Sequence, residues 1–255
     1  MVSIPMTSKK PVSTSELDQI NRITGKAQST QTLLIPTRPA ARQEPPSAPS
    51  QPASRPAPKR PHPPAAGVML QKGQKTSLSQ LKPDLDVVKV GLGWELGPNG
   101  QGYDLDVEAF LLNSSGKVPG DDWFVFYNQP VSPDGAVRLL ETGTSSTSPG
   151  DDAAVQVQLR RLDPQVNKIV FIVTINEARV HGYNFSNVSQ AYVRIVDQAS
   201  SRELVRFQLT DYYSNVCSMM AAELYRYKDE WRFNPVGNGT GDDLAGLCTR
   251  YGVNV

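Results

Sequence analysis

Cysteine and histidine are scarce in this chain, with two of each among 255 residues. Cys217 and Cys248 lack a Cys-x-x-Cys spacing, and His62 and His181 stand apart, so neither a Cys/His zinc centre nor a histidine-based catalytic group is indicated. So few thiols suit a reducing compartment with both cysteines serving as small apolar residues, although one disulfide would satisfy the same count. No apolar run approaches the roughly 20 residues that cross a bilayer. Met1 to Lys10 has no hydrophobic stretch of secretory-signal length. The expectation is a cytoplasmic protein. A long helical hydrophobic period is also missing, which argues against a helical bundle.

The formal net charge of +1 conceals two unlike halves. Residues 1–66 are net +6, hold thirteen of the twenty-one prolines and contain no Phe, Trp or Tyr; residues 67–255 are net −5. The first segment cannot bury enough apolar surface to offset its ordering entropy, so it is expected to be a disordered, Pro-rich basic tail. Its PxxP spacings suit either a spacer or a ligand for a polyproline groove. One short helix is expected at 15–25, with Ser15 as cap, Leu17, Ile20 and Ile23 as an apolar stripe and Gly25 as its end. The acidic body is a poor partner for nucleic acid.

From Gly67 onward, short apolar or alternating runs are separated by turn residues. Strands are expected at Val87–Trp94, Asp106–Leu112, Trp123–Tyr127, Val155–Leu159, Ile169–Ile175, Ala191–Val196, Leu204–Leu209, Met219–Tyr227 and Glu230–Phe233. Ile169–Ile175 is apolar on both faces, as a central strand requires, whereas Val155–Leu159 alternates like a half-buried one. A short helix is expected near Asp242–Tyr251. The pattern predicts an all-β domain over 67–255, an antiparallel β-sandwich with a short C-terminal helix. Gly237-Asn238-Gly239-Thr240-Gly241 lacks the ending and βαβ setting of a phosphate loop and reads as a flexible turn.

Asp104-Leu105-Asp106 is the most telling stretch. On a strand, alternate side chains share a face, so the two carboxylates point the same way and repel. A hard cation such as calcium would relieve that repulsion with the oxygen ligands it prefers. The bland alternative is an edge strand whose charges discourage aggregation. Asp151 and Asp152, after Gly150, form a second acidic cluster that can converge on a loop or simply make a turn. Glu177 follows a buried strand, where a carboxylate needs either a metal or an ion pair, Arg194 being the candidate partner. Asp121-Asp122 and Asp242-Asp243 read as solvated turn residues. Trp94, Trp123 and Trp231 read as packing residues.

The body resembles the TerD-type domain of bacterial tellurium-resistance and general stress proteins. The resemblance runs in order from Leu70-Gln71-Lys72-Gly73 through Val90-Gly91-Leu92-Gly93-Trp94 and Tyr103-Asp104-Leu105-Asp106. It continues through Phe124-Val125-Phe126-Tyr127-Asn128, Ser132-Pro133-Asp134-Gly135 and Gly150-Asp151-Asp152. It ends with Thr174-Ile175-Asn176-Glu177-Ala178, Ala191-Tyr192-Val193-Arg194-Ile195, Trp231-Arg232-Phe233 and Val236-Gly237-Asn238-Gly239. What the resemblance implies is a calcium-binding β-sandwich working in stress-response assemblies, some with membrane partners. The chain departs from the acidic signature of that family. The GDN element falls on Glu141-Thr142-Gly143, Gly150-Asp151-Asp152 is followed by Ala153, and Glu95 follows Gly93-Trp94. Fewer oxygen donors predict weakened calcium binding.

The expected function is therefore a non-catalytic interaction module of a stress-response or tellurium-resistance complex, with Ca²⁺ held among Asp104, Asp106, Asp151, Asp152 and Glu177. Its expected partners are other stress-response proteins, with peripheral membrane association through the basic tail and no nucleic acid. A calcium-independent scaffold is the alternative. A cyclic-nucleotide binder and a carboxylate hydrolase are more remote, since two aspartates side by side on a strand cannot face each other across a glycoside.

Overall fold

A computed structural model describes residues 66–100, 102–140, 150–211, 214–228 and 230–254. The basic tail, its expected helix at 15–25 and Glu141-Thr142-Gly143 lie outside the described residues. In chain order the elements are β1 (Val68–Leu70), β2 (Thr76–Ser77), α1 (Leu78–Leu81), β3 (Val87–Leu96), β4 (Leu105–Leu112), β5 (Phe124–Val125), β6 (Val137–Leu140) and β7 (Ala153–Gln158). There follow β8 (Lys168–Ile175), α2 (Ala178–His181), β9 (Val188–Asp197), β10 (Arg202–Gln208), β11 (Ser218–Tyr227), β12 (Glu230–Thr240) and α3 (Leu244–Tyr251).

Two six-stranded sheets result, ordered β1-β10-β9-β3-β7-β6 and β2-β12-β11-β8-β4-β5. Every pairing is antiparallel except β1 with β10, which is parallel. The expected all-β sandwich and its C-terminal helix are present. Ile169–Ile175 is indeed central: it lies in β8, between β11 and β4, and is buried along its length. Val90, Leu92, Val155, Val193 and Ile195 of the first sheet join Val107, Ala109, Phe171, Val173 and Phe233 of the second in one apolar core.

Three differences from the sequence reading have local causes. Strands β1, β2 and β6 have two to four residues, too few to show a period. Trp123 closes a 3₁₀ turn, Asp121–Trp123, rather than opening a strand. The expected flexible turn at 237–241 is instead mostly strand, because β12 stays paired with β11 as far as Ser218↔Thr240. Its glycines answer to packing. Gly237 takes φ +58° with the Phe207 ring 3.0 Å from where a Cβ would stand, and at Gly239 a Cβ would lie 2.5 Å from a Val216 methyl.

Helix α3 lies over the outer face of the second sheet, where Tyr251 meets Phe110 at 4.7 Å between ring centroids. Asp243 caps it by accepting the Gly246 N–H, and Gly252 ends it in the left-handed region. Among the described residues, both cysteines are free thiols. No helix among them is long and apolar enough to cross a membrane.

Candidate functional site

Topology brings the five acidic residues to one end of the sandwich. Strand β4 begins beside the end of β8, with Leu105 opposite Ile175 and Asp106 opposite Thr174. The Asn176 N–H donates to the Asp104 carbonyl at 2.8 Å, which fixes Glu177 near Asp104 in the chain path. Strand β7 begins beside the end of β3, with Ala153 opposite Leu92, which delivers Asp151 and Asp152 to the same end. The residues do not share a face, however.

Asp151 lies on the outer side of the first sheet. Its carboxylate sits over Gly91, where a Cβ would come within 2.4 Å of it. Arg194 donates from Nε to Oδ1 and from Nη2 to Oδ2, both at 2.9 Å, and Tyr192 donates its hydroxyl to Oδ1 at 2.7 Å. The network continues through Arg194 to Glu203 at 3.0 Å and Glu203 to Arg206 at 2.7 Å. Burial opposes charge on Glu203, but hydrogen bonds from Arg206 and Arg194 outweigh it and lower its pKa. The same burial pushes the Tyr192 phenol well above its ordinary value, with the Asp151 charge adding to it, so Tyr192 remains a donor.

Asp152 accepts the Trp94 N–H at 2.7 Å and donates its own N–H to the Leu92 carbonyl at 2.8 Å, so it stitches the loop to β3. Glu177 takes the left-handed conformation, φ 50°, and its side chain is 63% exposed. Its partner is His181 at 3.2 Å. The expected ion pair with Arg194 is therefore corrected: Arg194 stands on β9, in the first sheet, whereas Glu177 follows β8 in the second.

Asp104 and Asp106 are different. Among the described residues neither has a Lys or Arg within ion-pair distance. Burial and then the charge of Asp104 push the Asp106 carboxyl above its ordinary value. Two residues further along the same face, Glu108 is 1% exposed. Its Oε1 accepts the Thr174 hydroxyl at 2.7 Å, while Oε2 has no hydrogen-bond partner. Burial pushes Glu108 well above the usual carboxylate range, with Asp106 reinforcing the shift. Cys248 of α3 feels the same field, and its thiol is raised to about 11, mainly by burial and then by Glu108.

Calcium needs six to eight oxygens, several of them charged. Asp151 does not fit that role, because a guanidinium already occupies both its oxygens. Asp104 and Asp106 fit it better: they are anionic, on one face, without a cationic partner, and followed by an orphaned carboxylate oxygen. No group of three His, Cys, Asp or Glu among the described residues is placed to enclose a metal. A cation at Asp104 and Asp106 would thus draw further oxygens from backbone and water. Glu108 was missed by the sequence reading, although the Asp104, Asp106, Glu108 alternation on one face is visible in the sequence.

A family profile described as "TerD domain" matches residues 66–251. Tellurium resistance protein TerD of Serratia marcescens is 41% identical over 188 residues, covering 73% of this chain and 98% of that protein. General stress protein 16U of Bacillus subtilis (strain 168) is 38% identical over 190 residues, covering 74% and 98% respectively. Among solved structures, a protein of unknown function, SAV2460, aligns with a TM-score of 0.51 at 23% identity, over 64% of this chain and 94% of that one. That last likeness concerns the fold alone.

Proposed function

We propose that this chain, which belongs to the TerD-domain family of tellurium-resistance and stress proteins, is a non-catalytic, calcium-responsive interaction module of a stress-response complex. The observation that carries this reading is the acidic ladder of β4: Asp104 and Asp106 on one face without a cationic partner, next to the unpartnered Oε2 of Glu108. Calcium held by Asp104 and Asp106 would supply the positive charge that this face lacks and would brace the start of β4. Binding is weak, because Asp151 is committed to Arg194. The partners are other stress-response proteins of the cytoplasm, and the basic tail adds attraction to an anionic membrane surface. Catalysis is disfavoured because the paired acids lie side by side or on separate outer faces, rather than across a cleft.

One observation favours a second reading. Arg194 at Asp151 already does what a cation would do there, which suits a scaffold independent of calcium. Calcium titration of the full chain by calorimetry separates the two. Saturable heat that disappears in Asp104→Ala/Asp106→Ala and persists in Asp151→Asn supports the calcium module. A folded wild type that gives no heat leaves the metal-free scaffold.

A further inference from the structure

A cavity of about 420 Å³ lies at the opposite end of the sandwich, between α1 and the segments that begin β8 and end β11. Its volume is in the usual range for small-molecule sites, which pair apolar walls with a few polar groups. Leu78, Leu85, Leu162 and Trp231 contribute its apolar lining and Arg160 and Arg226 its cationic lining, and the exposed lining is more polar than apolar. Arg226 is locked in place. Its Nε donates to the Val166 carbonyl at 2.9 Å, and Nη2 donates to the carbonyls of Leu162 at 3.0 Å and Asp163 at 3.3 Å. Its guanidinium stands 4.6 Å from the centre of the Trp231 ring.

Neutral carbonyls and an aromatic face hold this cation without cancelling its charge. No carboxylate among the described residues lies within ion-pair distance of Arg226. The nearest opposing field is that of Asp163, whose Oδ1 accepts the Gln165 N–H. Burial accordingly pushes Arg226 below its ordinary value, with Asp163 alone acting against it. Arginine nonetheless stays charged in proteins. Arg160 adds a second, exposed positive group on the same cavity; the neighbouring Asp84 is paired with Lys82 at 2.8 Å and lies more weakly in the field of Arg160.

We propose that this cavity is a binding site for a small organic anion, with the acidic group held by Arg160 and Arg226 and a compact apolar body against the leucine and tryptophan wall. The reading is independent of calcium, so the experiment is run in buffer freed of calcium by a chelating resin, with no soluble carboxylate chelator to compete for the site. The full chain is titrated with the fluorescent anion 1-anilinonaphthalene-8-sulfonate and, in parallel, with uncharged N-phenyl-1-naphthylamine, which has the same aromatic body. A charge-assisted contact predicts saturable one-site binding of the anion about tenfold or more tighter than of the neutral probe. Arg160→Glu, at an exposed position that keeps the fold, removes that advantage and leaves the neutral probe unchanged. Ser79→Trp, which fills the cavity, abolishes the binding of both. Equal affinity for the two probes, absence of saturable anion binding, or anion binding untouched by both substitutions overturns the proposal. Circular dichroism of each variant verifies that the fold is intact.

Discussion

At position 108 a carboxyl group is removed from water with one oxygen satisfied by Thr174 and the other by nothing. Because its pKa is raised in the folded state, the native protein holds this proton more tightly than the unfolded chain does. The contribution of this group to stability is therefore greatest below the unfolded value of 4.5 and is lost as pH rises from there toward the folded value. Glu108→Gln removes the charge and keeps the acceptor for Thr174. In buffer without calcium at pH 8 the variant should be more stable than wild type, because it has no buried carboxyl to ionise. The gap should close by pH 4, as read by urea denaturation across that range. Parallel pH profiles for the two proteins would contradict a strained Glu108. The alternation Asp104, Asp106, Glu108 is visible in the sequence, but its consequence is not. Only the covering of this face by α3 turns the third acid into a buried one, as the contact of Tyr251 with Phe110 shows.

Among the elements, β12 departs most from what its residues suggest. Pro235 and the glycines at 237 and 239 are turn formers, yet they continue a strand to Thr240. Pro235 opposes Ala222 where the β11–β12 register shifts, and its carbonyl accepts the Gly73 N–H at 2.8 Å. A proline is tolerated at such an irregular place in a sheet. Gly239 is required for a different reason, the approach of Val216. Gly239→Ala should destabilise the domain by about 1–3 kcal/mol through overpacking, measured by thermal or denaturant unfolding. Adding Val216→Ala should recover part of that loss, because the clash is with the valine side chain. No recovery would mean that backbone conformation, rather than that contact, fixes the glycine. Helix α3 shows the reverse case. Its place near Asp242–Tyr251 stood in the sequence, whereas Asp243, read there as a solvated turn residue, is its cap and Gly252 its stop.

On the scale of the molecule, the outer face of the first sheet carries a buried ionic network that joins the 150 loop, β9 and β10. The Glu203 carboxylate also accepts the N–H groups of Ala66 and Gly67 at 3.3 Å, which ties the approach to β1 into the same network. Removing one partner strands a buried charge. Arg194→Met should cost about 3–5 kcal/mol, lowering the unfolding midpoint in urea. A shift near zero would mean that water replaces the guanidinium at Asp151. The sequence by itself determined the sandwich class, the central place of Ile169–Ile175, the C-terminal helix and the shared face of Asp104 and Asp106. Each follows from periodicity and composition within a few residues. Tertiary structure alone decided that Arg194 meets Asp151 rather than Glu177, that the acidic residues divide between two outer faces, and that Arg226 faces a cavity. Those outcomes depend on strand order, which places β9 beside β3 and β8 beside β4. An ion pair joins residues by their distance in space, and that distance is not written in their separation along the chain.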